Sequence, residues 1–371
     1  MHSRFEIPFS DRQKNRCDEH RFFIKSQHQK TTLDRKMNWH HRIPKVELHL
    51  HLEGAIPYPT LWQLIQKYGG DPSVPNLEAL TNRFQYRNFL HFLETWSWKN
   101  QFIREYADFT CIAEAVAQDL ARQNIRYAEA FYSPSDFAPL ETQGITEAIR
   151  KGLNRISEIE VALVADLVRN NSPAQAGTIL KEVHEVRSCG VIGIGIGGSE
   201  HKFPPEPFES VYEDARSLGF QTSVHAGEAA GAESIWGAIR SLRADRIGHG
   251  TRANEDERLL DHLSEHQIPL EMCPISNVRT GVVPSYEDHP VRQYVERGIP
   301  ISINTDDPKM FGNSLAEEFQ MLEDRLHFSR DDIRALILQS IRTSWLCNEK
   351  KQKLICEFSQ DPNWSAPDTK N

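Results

Sequence analysis

The chain lacks several features that would place it in a specialised class of protein. Its 371 residues contain no apolar run approaching the roughly 18 residues needed to span a bilayer. Residues 1–10 also lack the apolar core of a secretory signal. The net charge of −9 leaves no basic excess to neutralise phosphates, which argues against a general nucleic-acid-binding protein. The six cysteines show no CxxC spacing, so we expect reduced thiols and a cytoplasmic location.

The two ends of the chain lack the hydrophobic pattern of packed elements. Residues 1–41 are polar and rich in lysine and arginine, so we predict a disordered extension there, with Met37 as an alternative start site. Residues 359–371 carry two prolines and no apolar pattern, and we expect a flexible tail. A single domain is therefore expected over residues 42–358.

Between these ends, short apolar or β-branched runs alternate with helical patterns. We predict strands at residues 45–51, 126–133, 160–168, 191–197, 221–225, 246–249, 269–274 and 300–304. Strands that alternate with helices indicate parallel strands joined by crossover helices, and eight such units predict a closed (β/α)₈ barrel, the TIM-barrel architecture. Residues 55–121 are too long for one crossover helix and predict a helical insertion after the first strand. Some of its aromatic residues could cover a pocket.

The first predicted strand places metal-capable side chains on a single face. With a period of two, Glu47, His49, His51 and Glu53 share one face, which thus carries two imidazoles and two carboxylates. The opposite face is aliphatic. Two histidines at positions i and i+2 of a strand can reach one metal ion together. An amphipathic strand with a solvated polar face is the alternative explanation of this segment alone.

Reactive residue types also follow the C-terminal ends of later strands, where barrels of this kind have their active sites. They occupy the ends of the fourth, fifth, sixth and eighth strands, at residues 197–200, 225–228, 249–250 and 306–307. Three imidazoles and one carboxylate form a typical zinc ligand set, and this chain offers them as His49, His51, His225 and Asp306. Such an ion lowers the pKa of a bound water toward about 7.

Three further groups at these strand ends suit proton transfer and substrate binding. Glu228 follows His225 by three residues, so its carboxylate would lie beside the metal and could move a proton to a ring nitrogen. His249 could orient or deprotonate the water, and Asp307 could accept a hydrogen bond from the substrate. Each residue alone is more often structural, since Asp-Asp-Pro, for example, is commonly a turn or a helix cap.

Five segments resemble the signatures of the adenosine deaminase family, in that family's order and spacing. They are residues 44–55, 225–228, 246–250, 273–277 and 304–308, and the resemblance covers the chain from about residue 42 to 346. It implies a zinc-dependent hydrolase that removes the amine of an adenine ring as ammonia. One zinc ion per chain and a small purine substrate are expected, with no nucleic-acid or membrane partner.

The resemblance also implies a role for each site residue. It assigns zinc binding to His49, His51, His225 and Asp306, and substrate contacts to His51, Glu53, Gly198 and Asp307. Glu228 would protonate ring N1, and His249 would hold and activate the water that attacks C6. Asp307 would accept a bond near N7, the Gly198 backbone would meet N3, and Glu53 would face the sugar side of the pocket.

Two positions depart from the usual adenosine deaminase pattern. Glu53 stands where aspartate is usual, and Ser199 stands where the family has the aspartate of Gly-Asp-Glu. Both departures resemble the adenine deaminases of the same family, whereas Arg246 before the Ile-Gly-His segment resembles the nucleoside enzymes. We therefore expect adenosine and deoxyadenosine first, adenine second, and a modified nucleoside such as aminodeoxyfutalosine third.

Two other classes of protein stay open from the sequence. A binuclear amidohydrolase on the same barrel would need a bridging ligand after the fourth strand, where only Glu200 and Lys202 lie near the glycines. A purine-binding barrel without catalysis would be expected to have lost Glu228 or a metal ligand, and all of them are present.

Overall fold

The protein is described by a computed structural model that covers residues 38–86 and 89–365. The chain divides into two units, residues 1–42 and 43–371. The described part of the first unit holds a short helix, α1 (Trp39–Arg42). The extension predicted over residues 1–41 otherwise lies outside the described residues, as does the last part of the predicted tail, residues 366–371.

The second unit contains one sheet of eight parallel strands that follow each other in chain order. The strands are β1 (Lys45–His51), β2 (Ile125–Tyr132), β3 (Glu160–Asp166), β4 (Val191–Gly195), β5 (Gln221–Ala226), β6 (Arg246–His249), β7 (Leu270–Met272) and β8 (Ile301–Ile303). Asp306, just after β8, closes the ring: its N–H donates to His49 O at 3.1 Å, and its carbonyl accepts from His51 N at 2.9 Å. The predicted (β/α)₈ barrel is confirmed.

Helices fill the connections between strands. Four of them lie between β1 and β2 and confirm the predicted insertion: α2 (Tyr58–Lys67), α3 (Leu77–Arg83), α4 (Phe89–Asn100) and α5 (Tyr106–Arg122). The later helices are α6 (Thr142–Leu153), α7 (Pro173–Glu185), α8 (Glu209–Ser217), α9 (Ala232–Arg240), α10 (Glu257–Glu265), α11 (Pro274–Arg279), α12 (Val291–Glu296), α13 (Pro308–Phe311), α14 (Leu315–Leu326), α15 (Arg330–Thr343) and α16 (Asn348–Gln360). Within the described residues, we find no helix with the length and apolarity that crossing a membrane requires.

Local sequence explains where several elements begin and end. The strands are covered on both faces, as parallel sheets require, and every residue of β1 is buried. Ser172 and Ser329 begin α7 and α15, each accepting a bond from the N–H three residues later. β7 is shorter than the predicted run at 269–274 because Pro274 opens helix α11.

The C-terminal segment is more structured than the sequence suggests. Helix α16 continues to Gln360, so the boundary expected at residue 358 falls inside a helix. Trp364 is buried and packs on Phe358, with ring centroids 6.0 Å apart. A single aromatic residue among polar neighbours creates no periodic pattern, which is why this contact is not visible in the sequence.

Candidate active site

The ends of β1 and β5 and the residues after β8 bring four metal-capable side chains together. One ligand atom each from His49, His51, His225 and Asp306 lies within 4.8 Å of the others, and all four residues are buried. His51 Nε2 is 3.1 Å from His225 Nε2 and 3.4 Å from Asp306 Oδ1. Ligands that bind zinc at roughly 2.0–2.1 Å lie about 3.0–3.4 Å from each other. The spacing therefore fits one ion.

The electrostatics of this cluster suit a cation. Burial lowers the pKa of His225 well below its ordinary value and also lowers that of His51, so both rings are unprotonated near pH 7. Burial opposes ionisation of Asp306, yet the contact with His49 and the other imidazoles holds the pKa of that carboxyl below its ordinary value. Within the described part of the chain, the buried Nε2 of His49 has no hydrogen-bond partner. A divalent ion would satisfy all of these atoms.

A buried carboxylate that the sequence analysis missed orients His49. Glu271 on β7 lies 2.7 Å from His49 Nδ1 and accepts a bond from Ser223 Oγ at 3.0 Å, which turns the other imidazole nitrogen toward the cluster. Glu271 also forms an ion pair with Arg246 at 2.5 Å, and Arg246 donates to Glu129 at 2.5 Å. Arg246 is thus enclosed by the barrel core and does not line the cavity above the cluster. Its identity is therefore a weak guide to the substrate.

The hydrogen bonds around His249 decide which of its nitrogens carries the proton. Asn277 Oδ1 accepts from Thr251 Oγ1 at 2.9 Å and from His289 Nε2 at 3.2 Å. The Nδ2 group of Asn277 therefore donates to His249 Nδ1 at 3.2 Å. Burial lowers the pKa of His249 to about 3, so the ring is neutral and its proton is on Nε2. This nitrogen can donate a hydrogen bond to a water oxygen.

Glu228 faces His249 from the loop after β5. Its Oε2 lies 3.6 Å from His249 Nε2. Burial and the nearby carboxylates of Asp306 and Glu200 raise the pKa of Glu228 well above its ordinary value. The raised pKa favours the protonated carboxyl, and a glutamic acid of this kind can serve as a proton donor.

A cavity of about 320 Å³ opens above the cluster. Its wall includes most of the predicted site residues, namely His51, Gly198, His225, Glu228, His249, Asp306 and Asp307. Side chains of α4 and α13 cover it, with Phe92 stacked on Phe311 at 5.1 Å and Trp96 beside them. Some aromatic residues of the insertion therefore do cover a pocket.

Glu53 lies behind the cavity wall. Its Oε1 accepts a hydrogen bond from the backbone N–H of Ser133 at 2.9 Å, and the side chain is buried. Ser133 itself lines the cavity, so Glu53 contacts the cavity wall through its hydrogen bond to Ser133. The extra methylene of a glutamate lets the carboxylate extend to Ser133. Its predicted role as a sugar contact stays a prediction.

The cavity also contains groups that the sequence analysis did not name. Asp166, at the end of β3, lines the cavity and accepts a hydrogen bond from Gly197 N at 2.8 Å. Its position as a carboxylate at a strand end is the sequence feature that could have identified it. Asn170 follows and accepts from Ser199 N at 2.8 Å. Gly198 has a φ of +102°, and a Cβ there would lie 2.4 Å from Asn170 Oδ1. Its bare backbone is therefore open to close approach by a flat ligand.

Comparisons with known proteins agree with this geometry. The family model for adenosine deaminase matches residues 44–360. An adenine deaminase of Bordetella parapertussis is 34% identical over 310 residues, covering 82% of this chain and 97% of that protein. An aminodeoxyfutalosine deaminase of Streptomyces avermitilis is 32% identical over 348 residues, covering 88% and 93%. A solved amidohydrolase of Burkholderia ambifaria with bound zinc has a TM-score of 0.79 at 27% identity, covering 86% of this chain and 91% of that chain. The chain belongs to the adenosine deaminase family and is a hydrolase that acts on carbon–nitrogen bonds.

Proposed function

We propose that the protein is a zinc-dependent adenine deaminase, which converts adenine and water to hypoxanthine and ammonia. The observation that carries the proposal is the three-histidine, one-aspartate cluster at the base of the cavity, beside the buried Glu228, whose pKa is raised. Two of the relatives named above act, by their names, on adenine and on aminodeoxyfutalosine. They favour adenine over adenosine, which the sequence pattern had placed first.

The ligand set supports a single zinc ion held by His49, His51, His225 and Asp306. When bound, the ion supplies an acidified water whose pKa falls toward about 7. A binuclear hydrolase would need a bridging ligand after β4. Glu200 is instead hydrogen-bonded to backbone N–H groups, and Lys202 is exposed.

The protonation states of Glu228 and His249 assign each of them a step in the reaction. Glu228 donates its proton to N1 while His249 Nε2 holds the water oxygen that bonds to C6. The C6–amine bond then breaks, and the amine leaves with one water proton as ammonia. The other water proton restores the carboxyl of Glu228.

The Asp307 carboxyl would donate a hydrogen bond to N7 rather than accept one. Burial and the adjacent Asp306 raise the pKa of Asp307 well above its ordinary value, which favours the protonated carboxyl. Among the described residues, its Oδ1 is buried without a hydrogen-bond partner. The lone pair on N7 of adenine needs a donor, so burial reverses the direction expected from the sequence.

The charge of the cavity lining disfavours anionic substrates. Its carboxyl groups are Asp136, Asp166, Glu200, Glu228, Asp306 and Asp307, and no lysine or arginine is among the described residues that line it. The nearby Lys99 is buried, donates to Asn100 Oδ1 at 2.6 Å and lies 4.2 Å from the Trp96 ring. Among the described residues of the lining, no cationic side chain is therefore available to neutralise a phosphate or carboxylate.

We expect kcat/KM to be highest for adenine and at least about 100-fold lower for AMP, because burying the charge of the phosphate without a cationic partner costs several kcal/mol. Steady-state rates with adenine, adenosine, deoxyadenosine, aminodeoxyfutalosine and AMP measure this ranking. A higher kcat/KM for AMP than for adenine would contradict the electrostatic argument. If none of the five compounds is deaminated, the proposed function is wrong.

Adenosine is the second candidate because the cavity extends to polar groups away from the cluster, at Ser133 and Asn171. We expect Glu53→Asp to raise the ratio of adenosine to adenine kcat/KM by about fivefold, since the shorter carboxylate releases the Ser133 amide and one hydrogen bond is worth about 1 kcal/mol. Glu158→Asp, at an exposed position just before β3 and thus at the opposite end of the barrel, is the matched control. An unchanged ratio would show that Glu53 does not govern substrate choice.

A further inference from the structure

The loop that carries Glu228 is held by one buried carboxylate from the loop after β4. Glu200 is only 4% exposed and accepts hydrogen bonds from four consecutive backbone N–H groups. Its Oε1 accepts from Gly227 at 2.6 Å. Its Oε2 accepts from Glu228 at 3.1 Å, from Ala229 at 2.6 Å and from Ala230 at 2.9 Å. The carboxylate thus binds both the catalytic residue and its neighbours.

The backbone at this point is shaped to surround a negative charge. Gly227 has a φ of +74°, and this left-handed step makes the N–H groups that follow converge on one point. A Cβ at this position would lie 2.4 Å from Ile235 Cδ1, so the turn requires glycine. Such a turn can bind a free anion, but here the chain supplies its own carboxylate.

The position of the Glu228 side chain depends on this turn. Its backbone N–H is one of the four donors, and its carboxyl lies 3.6 Å from His249 Nε2. Loss of the bonds to Glu200 would leave the four N–H groups without their acceptor and let the turn relax. A displacement of about 1 Å at a proton donor can lower the rate about 100-fold.

We propose that Glu200 is a positioning residue that holds the loop of Glu228 in the geometry required for proton transfer. The proposal rests on the proposed role of Glu228 as proton donor. It gives Glu200 a function through the backbone, distinct from that of a metal ligand or of a group that touches the substrate.

A double-mutant cycle separates this role from a general effect on the fold. Glu200→Gln keeps the length of the side chain but replaces one acceptor oxygen with an amide that cannot accept. We expect kcat to fall 10- to 100-fold, with KM within about twofold and zinc content unchanged. In a Glu228→Gln background the same substitution should change kcat less than about threefold, because there is no proton donor left to position.

Glu233→Gln is the matched control, because Glu233 is exposed and accepts a single bond from Gly231 N in the same loop. We expect its kcat and KM to equal those of the parent. Glu200→Asp keeps the negative charge on a side chain that is one methylene shorter. If Glu200→Gln does not fold, Glu200→Asp replaces it in the same comparison of kcat. A fall in kcat that is equal in both backgrounds would overturn the proposal.

Backbone hydrogen exchange, read by mass spectrometry, tests the same contact without turnover. We expect the amides of residues 227–230 to exchange slowly in the parent and at least tenfold faster in Glu200→Gln. Unchanged protection would overturn the proposal. If the parent deaminates no adenine compound, the proposed function has failed, while the exchange rates still report whether Glu200 holds this loop.

Discussion

Glu228→Gln is expected to lower kcat by about 1,000-fold while the protein keeps its zinc. Burial and the carboxylates of Asp306 and Glu200 raise the pKa of Glu228 well above its ordinary value, which favours the protonated carboxyl. Glutamine can still donate a hydrogen bond to N1, but it cannot transfer a proton, and general acid catalysis contributes about 10²- to 10⁴-fold. Adenine turnover followed by absorbance, together with metal analysis of the same sample, measures both quantities.

Glu233→Gln again serves as the control for this substitution, since it makes the same chemical change at an exposed position in the first turn of α9, the helix that follows the loop. Turnover of Glu228→Gln at the parent rate would remove Glu228 from the role of proton donor. Loss of zinc together with activity would assign it to the metal site instead.

His225→Ala is expected to reduce zinc content from about one ion per chain to a small fraction and to abolish measurable turnover. His225 Nε2 lies 3.1 Å from His51 Nε2, so the two imidazoles face the same point, and alanine leaves only two imidazoles and one carboxylate there. Loss of a direct ligand should exceed the 10- to 100-fold loss of affinity typical of groups that only orient ligands. Elemental analysis after dialysis against a weak chelator measures the effect.

His266→Ala provides the control for the loss of an imidazole, because His266 is exposed just after α10 and stacks on His262 at 4.0 Å, away from the cavity. Undiminished zinc in His225→Ala would exclude His225 from the ligand set. Two ions per parent chain would instead favour the binuclear alternative.

The convergence of the four candidate metal ligands could be predicted from the sequence because each of them ends a strongly patterned segment. His49 and His51 alternate with leucines, and His225 and Asp306 close short apolar runs. In a parallel barrel the carboxyl ends of all strands meet at one face, so residues far apart in the chain must converge there. Local pattern and topology were therefore sufficient for these four positions.

Contacts between loops and within the barrel core could not be predicted in this way. Glu271 and Arg246 lie on neighbouring strands, and Arg246 reaches Glu129, 117 residues away in sequence. Glu200 was visible as a carboxylate near a strand end, yet only the three-dimensional turn at Gly227 shows that it binds backbone N–H groups. Pattern indicates which segments meet, whereas the partner of a buried charge depends on side-chain direction.

The closure of the barrel has a consequence for how the protein acquires its metal. The segments that complete the ring, around His49 and Asp306, also supply two of the four candidate ligands. A nascent chain cannot assemble them until its last strand has docked on its first, a late event for contacts of such long sequence separation. Zinc uptake should therefore follow folding, and a bound ion would resist separation of the first and last strands.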